Sequence, residues 1–185
     1  AMTRVLVVYC HPSEESFVAA ARDRIMTGLT AAGAEVRLAD LYADGFDPAF
    51  SASERANHLV AGTDPSIRSY GDDLRWCDTL VLVYPTWWSG QPAMLKGWID
   101  RVLSYGFAYV DGRRFDTGVF RGRRALVSVT TGGTPERFSE SGVYGPIKPL
   151  LMPVERLVLE YMGFEVAEPC VAYAAPRVTE EARQR

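Results

Sequence analysis

Three short segments hold most of the residues whose types and spacing could do chemistry. They are His11-Pro12-Ser13-Glu14-Glu15-Ser16-Phe17, Pro85-Thr86-Trp87-Trp88-Ser89-Gly90-Gln91 and Thr130-Thr131-Gly132-Gly133-Thr134. The first runs from an apolar stretch into a helical pattern. A helix start offers unpaired N–H groups and the positive end of the helix dipole, which suit a phosphate. Ser13, Ser16 and His11 add side-chain donors. The same residues also read as an ordinary helix start, with Ser13 as N-cap and Glu14 and Glu15 in the first turn. Two carboxylates count against an anion there unless they turn to solvent. The second segment sets Trp87 beside Trp88 in a loop marked by proline and glycine. Such flat side chains can stack on a planar ligand, or simply plug the gap between loop and following helix. In the third segment two glycines allow close approach of a ligand to backbone N–H groups. Donors of that kind stabilise a ring that gains negative charge, although an ordinary glycine-rich turn has the same composition.

Other chemistries find little support. The chain has neither GxGxxG nor GxxxxGK[ST], neither HExxH nor GxSxG. Its histidines are His11 and His58, the latter read as a solvated surface residue. Cys10, Cys77 and Cys170 are an odd number without CxxC spacing, against a disulfide framework or a zinc site. They read as inert thiols in or near strand runs, in a reducing cytoplasmic setting. Net charge is −3, and Arg121, Arg123 and Arg124 are a short basic run that reads as a solvated loop, so no nucleic-acid partner is expected. No apolar run approaches the ~20 residues that span a bilayer, and no secretory leader pattern opens the chain, so no membrane insertion is expected.

The elements that must position the three segments follow from hydrophobic patterning. At 185 residues, 48% hydrophobic and 23% charged, the chain reads as one globular domain spanning 1–185. Val5–Tyr9, Thr79–Tyr84 and Ala125–Thr130 are continuous apolar runs typical of strands buried on both faces. Glu35–Ala39 alternates as a second strand. A fifth strand begins at Phe164–Ala167 and resumes after Pro169 as Cys170–Tyr173. Helical spacing marks Phe17–Ala32, closed by Gly33, and then Ser66–Cys77, Ala93–Ser104 and Val154–Met162, with a last helix opening at Thr179. Residues 40–69 are hardest to read, with room for a short helix near 53–60. Residues 105–122 read as a loop with a turn at Asp111-Gly112. The alternation predicts an α/β fold: a doubly wound, five-stranded parallel sheet in the flavodoxin-like order 2-1-3-4-5, with helices on both faces. In such a sheet the turns after strands 1, 3 and 4 converge at the carboxyl edge, where ligands bind. Those turns are the three segments above.

With HPSEESF at 11–17, DLYADGFDP at 40–48, YPTWWSGQPAMLKGWIDRV at 84–102, GFAY at 106–109 and TTGG at 130–133, the chain resembles the NAD(P)H:quinone oxidoreductase family, from Val5 to about Ala174. The resemblance implies a non-covalent FAD, with FMN as the alternative, and a homodimer with its active sites at the subunit interface. It implies ping-pong hydride transfer from NAD(P)H to a quinone-type acceptor. It puts His11, Ser16, Phe17 and Val18 at the phosphate end of the flavin. Pro85, Thr86, Trp87, Trp88 and Ser89 would border the ring. Thr130, Thr131, Gly132, Gly133 and Phe138 would face its pyrimidine side. Ala108, Tyr109 and Val110 would close the substrate pocket. Val18 stands where relatives often have Asn, which removes one polar contact. Phe138 and Tyr144 stand where better-known members have a Tyr–His proton relay; Phe138 cannot donate, whereas Tyr144 can still donate a hydrogen bond to the reduced flavin. The tail after Ala174 is short beside relatives whose longer tail contacts the adenine, which tilts the expectation toward FMN. The rival expectations are a flavodoxin-type electron carrier and an ancillary subunit of a transport protein.

Overall fold

A strand buried on both faces must send alternate side chains into two different cores. In the computed structural model, which describes residues 2–60 and 64–175, β1 (Arg4–Tyr9) does so. Its Leu6 and Val8, with Cys10 just beyond, enter one core; Val5, Val7 and Tyr9 enter the other. β3 (Thr79–Pro85) and β4 (Arg124–Thr130) follow the same alternation. α1 (Phe17–Ala31) covers the second face with Val18 and Ala19, backed by Ile25 and Leu29. The larger core takes Leu74 from α3 (Arg68–Trp76), Leu95, Trp98 and Val102 from α4 (Ala93–Val102), and Leu151 and Val154 from α5 (Lys148–Val154).

All pairings of named strands are parallel, in the order β2-β1-β3-β4-β5, with β2 at Glu35–Asp40. The expected flavodoxin-like order is thus present. The sheet has six strands where five were expected. The last strand is split into β5 (Glu165–Val166) and β6 (Cys170–Ala172), which pair with the two ends of β4. Pro169 lies in the gap and has no N–H for a ladder.

Helix ends account for the other differences. The N-cap of α1 is Ser16, whose Oγ accepts from Ala19 N–H at 3.0 Å; Ser13, the expected cap, instead accepts from Glu15 N–H. At the other end Ala34 N–H donates to Leu29 C=O and Gly33 N–H to Thr30 C=O, with Gly33 at φ +82°. That is a Schellman closure, which needs a left-handed residue at this place. The helix expected from Val154 begins earlier, at Lys148. Pro149 falls in its first turn, where a missing N–H is harmless. Pro153 lies inside, and the chain beyond it winds as a π-helix over Glu155–Glu160.

Within residues 40–69 a five-residue helix, α2 (Ala52–Ala56), carries a Ser51/Glu54 capping box. The region is tied down by Arg101 of α4. Its guanidinium donates to Glu54 Oε1 (2.8 Å), Asp47 C=O (2.6 Å) and Asp64 Oδ2 (3.0 Å). Burial pushes the Glu54 carboxyl up, but hydrogen bonds from Ser51 and Arg101 outweigh it and hold the carboxyl below its usual range. Gly97 lets α4 run against the same region; a Cβ there would lie 2.3 Å from Pro48. The expected helix at Thr179 lies outside the described residues.

Candidate functional site

The turns after β1, β3 and β4 meet at the carboxyl edge of the sheet around one cleft of about 470 Å³. The first turn contributes His11, Glu15, Ser16, Phe17 and Val18; the second Pro85, Thr86 and Trp87; the third Thr130, Thr131 and Gly132. Ala175 completes the lining.

At the first turn, Ser13 N–H donates to His11 Nδ1 at 3.0 Å. The proton of a neutral imidazole is then on Nε2, which is left to donate. Ser16 satisfies Ala19 N–H through its hydroxyl and Ala20 N–H through its carbonyl. The first two helix amides, on Phe17 and Val18, have no backbone carbonyl four residues back within the helix. Both residues line the cleft. At the third turn, Thr131 Oγ1 accepts from Gly133 N–H (3.2 Å) and keeps its own O–H to donate. Gly132 is exposed, with nothing within 4 Å of the place a Cβ would take. Thr86 ties the second turn to the third: its N–H and Oγ1 both donate to Thr130 C=O, at 2.8 and 2.9 Å. The Trp87 ring stands edge-on to His11, with centroids 5.9 Å apart.

A family described as having a flavodoxin-like fold matches residues 3–185. NAD(P)H dehydrogenase (quinone) 1 of Rattus norvegicus is 33% identical over 200 residues, which cover 99% of this chain and 73% of that protein. The chain belongs to the NAD(P)H:quinone oxidoreductase family. A Klebsiella pneumoniae structure, to which quinone reductase activity is ascribed, is 32% identical with a TM-score of 0.92, covering 98% of this chain and 80% of its own. NAD(P)H:quinone oxidoreductase from Methanothermobacter marburgensis is 26% identical with a TM-score of 0.85, covering 100% and 91%.

Against what is expected of a quinone oxidoreductase, the residues read from sequence divide into two groups. His11, Ser16, Phe17, Val18, Pro85, Thr86, Trp87, Thr130, Thr131 and Gly132 lie together on the cleft. The others lie outside its lining. Trp88 is fully exposed at the tip of its turn, with Ser89 beside it. Gly133 is buried under Phe138 and Tyr144; a Cβ on it would come within 2.5 Å of the Phe138 ring and 3.1 Å of the Tyr144 ring. Tyr144 is half-exposed, its N–H donating to Arg137 C=O (3.0 Å) and its hydroxyl accepting from Arg137 Nη1 (3.1 Å). Ala108 is fully buried in the larger core, so in a single chain it shapes its loop and cannot touch a ligand. Tyr109 and Val110 are half-buried in the same loop, where Tyr109 stacks edge-on with Tyr105.

Burial pushes the Cys10 thiol up to about 12 and Cys77 up to about 11, so neither ionises near neutrality. Sequence reasoning missed Ala175, which no motif marks. It also missed Arg22, whose partner in the first turn lies eight residues away.

Proposed function

We propose that the protein is a flavin-dependent NAD(P)H oxidoreductase that reduces quinones or similar electrophilic acceptors by two electrons, in ping-pong fashion. The observation that carries this reading is the convergence of the three turns on one cleft; donors in the first turn would suit a phosphate and those in the third a ring that gains charge. The residues fit a flavin nucleotide. The Phe17 and Val18 amides, the Ser16 turn and His11 Nε2 would hold the phosphate. Pro85, Thr86 and Trp87 would border the ring, and Gly132 leaves one wall open to it. The flavin, when bound, supplies the two-electron chemistry, taking a hydride from NAD(P)H and passing it to the acceptor. The Gly132 N–H and the Thr131 hydroxyl would stabilise negative charge on the pyrimidine side.

Tyr144 would donate to the same region. A guanidinium has donors and no acceptor, so the Arg137 contact leaves the phenol O–H free to point elsewhere. The Tyr144 loop, the exposed Trp88 and the Tyr109 loop would complete the acceptor pocket once two copies associate. The exposed neighbours Trp87 and Trp88 at the mouth of the cleft support that homodimer. FAD is the expected flavin and FMN its alternative. No described helix is long and apolar enough to cross a membrane, and the three cysteines are free thiols, as a reducing cytoplasm would keep them.

The test is direct. The purified chain should show a flavin spectrum or acquire one on addition of FAD or FMN. NADPH should bleach it anaerobically, and a benzoquinone should restore it. A chain that binds no flavin ends the proposal; one that binds flavin but stays oxidised with both NADH and NADPH is a carrier instead.

A further inference from the structure

We propose that Arg22 is a positioning residue for the cofactor phosphate, acting by holding the Glu14 carboxylate away from the amides at the start of α1. The proposal rests on the flavin-nucleotide reading above. Glu14 lies three residues before Phe17, at the positive end of the helix. A carboxylate is itself a good ligand for helix N-terminal amides. Left free, it would compete with the phosphate for the same N–H groups.

In the structure both Glu14 oxygens are engaged elsewhere. Arg22 Nη1 donates to Oε1 at 3.0 Å and Nη2 to Oε2 at 2.7 Å. The pair is asymmetric: the Arg22 side chain is 9% exposed and that of Glu14 65%. The clamp is therefore fixed from the arginine side. Arg22 Nε donates to Asp23 Oδ1 (2.9 Å), and Asp40 Oδ2 stands 3.6 Å from Nη1. The guanidinium lies 4.5 Å over the ring of Tyr9, a fully buried residue of β1. A planar fork suits this two-point grip, which a lysine ammonium cannot reproduce. Arg22 so binds the turn's carboxylate to the last residue of β1 and to the β2 end of the sheet.

The experiment compares riboflavin, FMN and FAD binding, by flavin fluorescence, to the full chain and to R22A, R22K and E14Q/R22A. Riboflavin has the ring and no phosphate. In R22A the affinity for FMN and FAD should fall roughly tenfold, with riboflavin affinity unchanged. R22K should show a smaller loss of the same kind. The double variant, which lacks the competing charge, should recover most of the FMN affinity lost in R22A. Riboflavin binding also reports that each variant is folded, and R22K stands in if R22A is not. Equal weakening of riboflavin and FMN, or no recovery in E14Q/R22A, would make Arg22 a structural residue and overturn the proposal. A wild-type chain that binds FMN and loses nothing in either Arg22 variant overturns the proposal alone. One that binds no flavin at all overturns the flavin reading and takes this proposal with it.

Discussion

Between β1 and α1 the chain turns on side-chain bonds: the N–H groups of Ser13, Glu15 and Ala19 donate to His11, Ser13 and Ser16, and a nearly buried Arg22 donates to Glu14. None of the non-glycine residues with positive φ falls in this turn. Between β3 and α4 the order is reversed. Trp87 and Gly90 exchange both backbone hydrogen bonds, at 2.9 and 3.1 Å, across Trp88 and Ser89, which stand at φ +50° and +64°. Two successive left-handed residues are what a tight hairpin turn needs, and Asn-Gly is the usual way to supply them. Here the chain uses a tryptophan and a serine, and the tryptophan is fully exposed. One turn is relaxed and complete within the chain. The other is strained, and its largest side chain finds nothing among the described residues to cover it. On the reading proposed above, the first turn would be preformed electrostatics for a phosphate, whereas the second would be a shape kept ready for a ring and a second subunit. Strain of this kind persists where surrounding structure and function require it.

The third turn gives the sharpest test of this division, because its two glycines have opposite surroundings. Gly132 faces the open cleft and Gly133 faces Phe138. Gly132→Val should leave the unfolding temperature nearly unchanged yet weaken flavin binding roughly a hundredfold or more, since the side chain takes the ring's place. A stable variant that still binds flavin with native affinity would mean the ring does not lie along this wall. Gly133→Ala should act the other way, costing about 1–2 kcal/mol of stability as the Phe138 ring is displaced. Its effect on flavin affinity should be the smaller of the two. Chemical denaturation and a flavin titration on both variants separate these outcomes.

The relaxed turn is tested at its cap. Ser16→Ala removes the acceptor of Ala19 N–H and should cost about 1 kcal/mol of stability. FMN affinity should fall with it while riboflavin affinity holds. Equal losses for the two ligands would place the phosphate elsewhere.

The features legible from sequence are those encoded by neighbours in the chain. β1, β3 and β4 are apolar runs, and a parallel sheet of such strands dictates that the turns after them meet. Hence ten of the site residues named from sequence do share one cleft. What escaped depends on contacts at a distance or on choices between near-equal residues. Ser13 and Ser16 are both plausible caps, and only the turn geometry, with Ser16 N–H donating back to Ser13 C=O, selects the second. Residues 40–69 have little periodicity because Arg101, far along the chain, holds them from inside. The helix expected from Val154 begins at Lys148 instead, because Pro149 occupies a first turn and Pro153 is held inside α5, just before the π-helical segment. Of the two carboxylates that count against a phosphate, Glu14 is turned away by Arg22, a contact no local pattern announces, while Glu15 lines the cleft.

The smallest expected effect has the opposite sign to the others. Trp88→Gly should stabilise the isolated chain, because a left-handed tryptophan costs about 1–2 kcal/mol and glycine returns part of that as extra chain entropy. The net gain is about 0.5–1 kcal/mol, or roughly 1–4 °C in the unfolding midpoint for a domain of this size. No packing is lost in exchange, since Trp88 is fully exposed. In the working enzyme the same change should lower quinone turnover and weaken self-association, because the ring that the strained turn presents is gone. Calorimetry at low protein concentration, set beside light scattering and steady-state rates, reads both halves. A lower unfolding midpoint would show that Trp88 holds its own turn in place, and the contrast between the two ends of the cleft would then collapse.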